Sequence, residues 1–234
     1  MDVVITETAP RETGGLSCFC SNNSRLLKRM IGFPNETMAR KVTECYQLKV
    51  VLKDIRPMVW RRVHVPVDIH LDDLHLVLQA AFSWTNSHLH SFNFDDQVYS
   101  TSYEPGDLTE LNMLDDRGIP LSSLVNTPGQ TFRYTYDFGD DWQHIVTLEK
   151  QITGDSFRKY PLCSEGMRAA PPEDCGGPPG FAQLRRIMKN PAHPEYQSYY
   201  EWIGYPYFPD LCDIACFDRR LSKLRKEAKL QRSL

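Results

Sequence analysis

Two short stretches concentrate the groups that could do chemistry. Tyr134-Thr-Tyr-Asp-Phe-Gly-Asp-Asp-Trp-Gln-His144 sets three carboxylates and an imidazole among aromatic rings, and Pro171-Pro-Glu-Asp-Cys-Gly-Gly177 adds two carboxylates and a thiol. With His88 and His90 they define a candidate pocket of His88, His90, Asp137, Asp140, Trp142, His144, Glu173, Asp174 and Cys175. His88 and His90 are two apart, so on a strand they point the same way. Imidazole and carboxylate oxygens suit a divalent metal (Mg²⁺, Mn²⁺ or Zn²⁺), with His90, Asp137, Asp140, His144 and Glu173 as candidate ligands. A carboxylate-rich metal beside a basic segment would suit phosphodiester hydrolysis.

The same residues also have structural readings. Asp137 and Asp140 flank Gly139 at a turn, where aspartates commonly accept backbone N–H groups. His88 fits a helix-to-strand connector, His90 a half-buried core position, and Glu173-Asp174 the amides of a loop with few ladder partners. Cys175 has no nucleophile elbow to pair with His144, and Asp137-Phe-Gly139 lacks every other kinase element. Cys212 and Cys216 have helical spacing and could join Cys163 and Cys175 on zinc, although two buried helical thiols explain them more simply. Of the tryptophans, Trp60 and Trp142 sit in strands beside charges, as a stacking face would, yet large rings also dominate small cores.

Periodicity supplies the elements that must position these groups. Tyr46, Leu48, Val50 and Leu52 alternate, as do Val59, Arg61, Val63 and Val65, which predicts a hairpin around Asp54-Ile-Arg-Pro57. Leu71, Leu74, Leu78, Ala81 and Phe82 form a helical stripe ending near Trp84-Thr-Asn86, with Asp72 and Asp73 in its first turn. Strands are expected at 88–94, 98–103, 131–138 and 145–150. Residues 160–180 carry five prolines and four glycines, which predicts an irregular loop. Helical stripes follow at Phe181–Met188, Tyr199–Ile203 and Ile214–Leu224. The order predicts an α+β fold: a mixed or antiparallel sheet with an early amphipathic helix and a C-terminal helical cluster.

The 234 residues, 41% hydrophobic and 24% charged, fit a flexible arm over 1–42, one domain over 43–228 and a tail over 229–234. No apolar run approaches a membrane span, and the N-terminus lacks a signal-peptide pattern, so a cytoplasmic protein with reduced thiols is expected. Residues 95–116 hold seven acidic and no basic side chains, whereas 219–232 hold seven basic ones against Glu227. Arg219, Arg220, Lys223 and Lys226 could therefore contact nucleic acid, or form the solvated face of a terminal helix whose stripe is Ile214, Phe217, Leu221 and Leu224. Nucleic acid or another protein is the expected partner.

Five segments, taken in order, resemble one family. They are Ile55-Arg-Pro-Met-Val-Trp-Arg-Arg62, Asp73-Leu-His75 with Gln79-Ala-Ala81, Trp84 with Ser87-His-Leu-His-Ser-Phe92, Tyr136–His144 and Pro171–Gly177. They are similar to the plasmid pRiA4b open-reading-frame-three-like family, over roughly residues 45–224. The resemblance implies a compact α+β domain and an intracellular protein linked to mobile elements, and brings no established activity. Where similar proteins often read Arg-Ala-Cys-Pro-Pro-Glu-Asp-Cys, this chain has Arg168-Ala-Ala-Pro-Pro-Glu-Asp-Cys175, which weakens a three-thiol metal site. The reading reached is an accessory or binding module, with a metal-dependent enzyme acting on nucleic acid as the alternative.

Overall fold

In the computed structural model, the described residues are 43–101, 108, 112–154 and 159–231. The N-terminal arm, Cys18 and Cys20, and the end of the tail lie outside them. Eight strands form one sheet in the order β5-β4-β3-β6-β7-β1-β2-β8. They are β1 (Thr43–Leu52), β2 (Trp60–Pro66), β3 (His90–Phe94), β4 (Gln97–Ser100), β5 (Leu114–Asp115), β6 (Thr131–Tyr136), β7 (Trp142–Gly154) and β8 (Leu162–Met167). The helices are α1 (Leu71–Phe82), α2 (Gly177–Met188), α3 (Tyr196–Ile203) and α4 (Phe217–Gln231). The sheet is mixed: β4 and β5 run parallel and the other neighbours antiparallel.

The expected β1–β2 hairpin forms, and its alternation decides which face is core. Tyr46, Leu48, Val50 and Leu52 of β1 and Arg61, Val63 and Val65 of β2 are buried on one face. On the other, Arg62 bridges Glu149 and Glu165, and Gln47 donates to Glu149 at 2.7 Å. Against the apolar face lies α1, buried at ten of its twelve positions. A helix apolar nearly all round must be covered on both sides. Its second cover is α4, whose Phe217, Leu221 and Leu224 are buried, and Arg225 of α4 pairs with Asp73 of α1 through both carboxylate oxygens.

Two local expectations are corrected. Residues 160–180 are not irregular throughout, because Leu162–Met167 pairs with β2 as β8. An edge strand needs partners on one side only, so the neighbouring proline is tolerated. Pro178 and Pro179 open α2, where a missing N–H costs nothing. The second correction concerns Cys212–Cys216, which precede α4 in irregular and turn structure, so their four-residue spacing is not helical. Cys163, Cys175, Cys212 and Cys216 are free thiols.

Candidate metal centre

Three connections converge beyond the ends of β3, β6 and α2. The α1–β3 connection turns at Ser83 and Asn86, both with left-handed backbone. It is fastened to α1 because Gln79 Oε1 accepts the Asn86 N–H at 2.9 Å and Asn86 Oδ1 lies 2.6 Å from His75 Nε2. The β6–β7 turn begins at Asp137, whose φ of 55° is left-handed. Its Oδ1 accepts the N–H groups of Gly139 at 2.9 Å and Asp140 at 3.3 Å, as the turn reading of Asp137 expects. The third connection, carrying Glu173 and Asp174, leads into α2.

Glycine allows the last two connections to touch. Asp140 Oδ2 accepts the Gly176 N–H at 3.2 Å. Gly177 has φ 63°, and a Cβ there would lie 2.7 Å from the Asp140 carbonyl oxygen. A side chain would meet backbone as well as strain, so Gly177→Ala should cost roughly 1–3 kcal/mol. A thermal melt checks this, and an unchanged melting temperature would show that the loop yields freely.

His88 stands at the centre. Its Nε2 is buried without a hydrogen-bond partner. Around it lie Asp174 Oδ1 at 3.3 Å, Asp137 Oδ2 at 3.8 Å and Glu173 Oε2 at 3.9 Å. Ligand atoms of His88, Asp137 and Asp174 all fall within 4.8 Å of one another, the one such group of three or more among the described residues. Glu173 is held by its other oxygen, Oε1, which accepts the Thr85 N–H at 2.7 Å, the Thr85 hydroxyl at 3.0 Å and the Tyr136 hydroxyl at 3.1 Å. Asp137 and Glu173 therefore each use one oxygen to fix the loops and aim the other at His88.

The remaining sequence candidates go elsewhere. His90 opens β3 and points into the core, with Nε2 2.8 Å from Asp116 Oδ2 and its ring stacked on His75 at 3.6 Å. The two-residue alternation does not carry from His90 to His88, because His88 precedes the strand. His144 is wholly buried against Phe82, Trp84 and Tyr134, and Nδ1 donates to the Tyr134 carbonyl at 3.2 Å. Burial holds its imidazole down to about 3. Trp142 is a core residue, and Asp140 serves the Gly176 amide. Burial, followed by Asp140, pushes the Cys175 thiol up to about 12, so it is not a resting thiolate. On α4, Arg220 donates to Ala80 O at 2.8 Å and pairs with Asp213 at 3.0 Å, whereas Arg219, Lys223 and Lys226 are exposed.

Thr85 and Tyr136 as holders of Glu173, and Asp116 as the partner of His90, carry no local sequence signal. The pattern Ser87-His88 before an alternating strand was the available sign that His88 belongs to a connection.

A mixed sheet with α1 packed beneath it and helices gathered toward the C-terminus makes this an α+β protein. The family model for plasmid pRiA4b ORF-3-like protein matches residues 44–216, and the chain belongs to that family. It is 39% identical over 165 residues to uncharacterized protein y4hQ of Sinorhizobium fredii, covering 70% of this chain and 82% of that protein. The crystal structure of MM3350 from Methanosarcina mazei Go1, a protein of unknown function, superposes with a TM-score of 0.65 at 32% identity. That match covers 74% of this chain and 97% of MM3350. No helix among the described residues is long and apolar enough to cross a membrane.

Proposed function

We propose that this protein is a binding module that holds a divalent cation between His88, Asp137 and Asp174, with Glu173 at its edge. The observation that carries the reading is His88 Nε2, buried without a partner and faced by three carboxylate oxygens at 3.3–3.9 Å. Donors about 2.0–2.1 Å from one tetrahedral ion lie about 3.3–3.4 Å apart, so the spacing is that of ligands sharing an ion after a small closure. Asp137 and Glu173 already have hydrogen-bonded second oxygens, the outer-shell support that orients ligands. One imidazole among carboxylates favours Mn²⁺ or Zn²⁺ over Ca²⁺.

The test is calorimetric titration of chelator-treated protein with Zn²⁺ and Mn²⁺. One ion per chain is expected, with affinity reduced at least tenfold in His88→Ala and Asp137→Asn, and unchanged in His90→Gln. Absence of saturable binding, or equal binding by His88→Ala, would sink the reading. DNA cleavage by the metal-loaded protein, lost in the same variants, would move it from module to metal-dependent enzyme.

A further inference from the structure

Asp174 has a second environment. It also lines an open cleft of about 370 Å³ together with Cys175, Ser198, Tyr199 and Trp202. Tyr199 and Trp202 are three apart on α3, and their rings meet at 72° with centroids 6.2 Å apart, forming an aromatic corner. Tyr199 packs one side against the core, whereas Trp202 leaves 50% of its surface exposed although Ile203 beside it is buried. Tyr205, 51% exposed, follows directly, and its phenol is pushed up by burial and then by the nearby Glu173 and Cys175. Exposed rings gathered beside a cleft mark binding surface more often than chance.

Charge decides what the cleft would take. No lysine or arginine lines it. The Asp174 side chain is 72% exposed, and among the described residues its ion-pair neighbour is His88. Asp137, Asp140 and Glu173 stand on the same converging connections. A nucleotide could stack on the rings, but its phosphates would meet the Asp174 carboxylate and no lining cation. A cation would gain from both the ring faces and the acids. We propose that the cleft binds an organic cation, an alkylammonium or guanidinium group, seated in the Tyr199–Trp202 corner and paired with Asp174.

This goes beyond the metal site and stands without it, because the corner and the exposed Asp174 carboxylate do not depend on His88. The two do share Asp174, so a bound divalent ion should weaken the organic cation. Full-length, chelator-treated protein is titrated with arginine, spermidine and an acetyl-Gly-Arg-Gly-amide peptide, following tryptophan fluorescence and heat, with AMP as the anionic control. Saturable binding of the cations at least tenfold tighter than AMP is expected. Trp202→Ala and Asp174→Asn should each lose at least tenfold; asparagine suits the left-handed φ of 54° at position 174. A peptide tenfold tighter than free arginine or spermidine identifies a protein partner, and parity identifies a small-molecule amine. No saturable response to any cation, AMP binding as tight, or undiminished binding by folded Trp202→Ala and Asp174→Asn overturns the proposal. Failure of Zn²⁺ and Mn²⁺ to bind would leave it intact.

Discussion

Between pH 7 and pH 5 the protein is expected to lose folding stability through two buried histidines, about 2 kcal/mol of it through His144. His75 is neutral in the fold: Nε2 reaches the Asn86 carbonyl oxygen at 2.6 Å, an acceptor, so that nitrogen carries the proton. Its Nδ1 then accepts from the Tyr134 hydroxyl at 2.9 Å. Burial, then the stacked His90, holds its pKa well below the usual value. His144 gives its Nδ1 proton to Tyr134 O and leaves Nε2 among Phe82 and Trp84, so a second proton would find no acceptor. Arg61 adds a smaller opposing charge.

The direction follows from linkage. Both folded pKa values lie below the unfolded 6.5, so below that pH the unfolded chain binds protons that the fold refuses. Stability is fully present well above pH 6.5 and falls as pH drops below it, for His144 by about 1.4 kcal/mol per pH unit and for His75 in the same direction. The depressed carboxylates Asp115, Glu149 and Asp213 act only nearer their own range, below the window. Urea unfolding at pH 7, 6 and 5 measures the slope, and His144→Phe should remove about 2 kcal/mol of the loss over that range whatever it does to absolute stability. A flat profile over that window would contradict the assignment of both rings as neutral.

How far these features could be read from the sequence depends on whether the signal was local. The β1–β2 hairpin and α1 were legible because alternation and the 3.6-residue stripe are imposed by burial on consecutive residues. β8 was not legible, since an edge strand is half exposed on both faces, and the preceding Pro161 and its own Gly166 look like loop. The candidate site was legible as a set of segments: Asp137, Glu173, Asp174 and His88 do converge. Which histidine joins them was not, because that depends on where β3 begins. A shift of two residues separates a ring facing three carboxylates from one stacked on His75 in the core. Trp202 as a cleft wall was equally hidden, since an i, i+3 aromatic pair on a short helix reads as packing until its exposure is known.

Replacing Arg61 by methionine should destabilise the fold by about 3 kcal/mol, roughly 6–12 °C in melting temperature for a domain of this size. Sequence alternation placed Arg61 among the inward residues of β2, and it is indeed only 2% exposed. No carboxylate is among its hydrogen-bond partners. Its Nε donates to Ala81 O at 2.8 Å, and Nη1 to Trp60 O at 2.8 Å and Met167 O at 3.2 Å, while the guanidinium lies 5.1 Å from the Phe82 ring centroid. Ala81 is in the last turn of α1, where carbonyls lack helical partners and the dipole is negative, and Arg220 takes the neighbouring Ala80 carbonyl. Burial opposes the charge and lowers the pKa of Arg61, so methionine relieves that cost. It also leaves three carbonyls at the meeting of α1, β2 and β8 without a donor from this side chain, the bond to Ala81 fully buried and those to Trp60 and Met167 partly so, and their sum exceeds the relief. Lysine should rescue little, because one ammonium cannot span the Ala81 and Met167 carbonyls as the guanidinium fork does. A melting temperature for Arg61→Met within 2 °C of wild type would mean that the relief of burial balances the lost bonds.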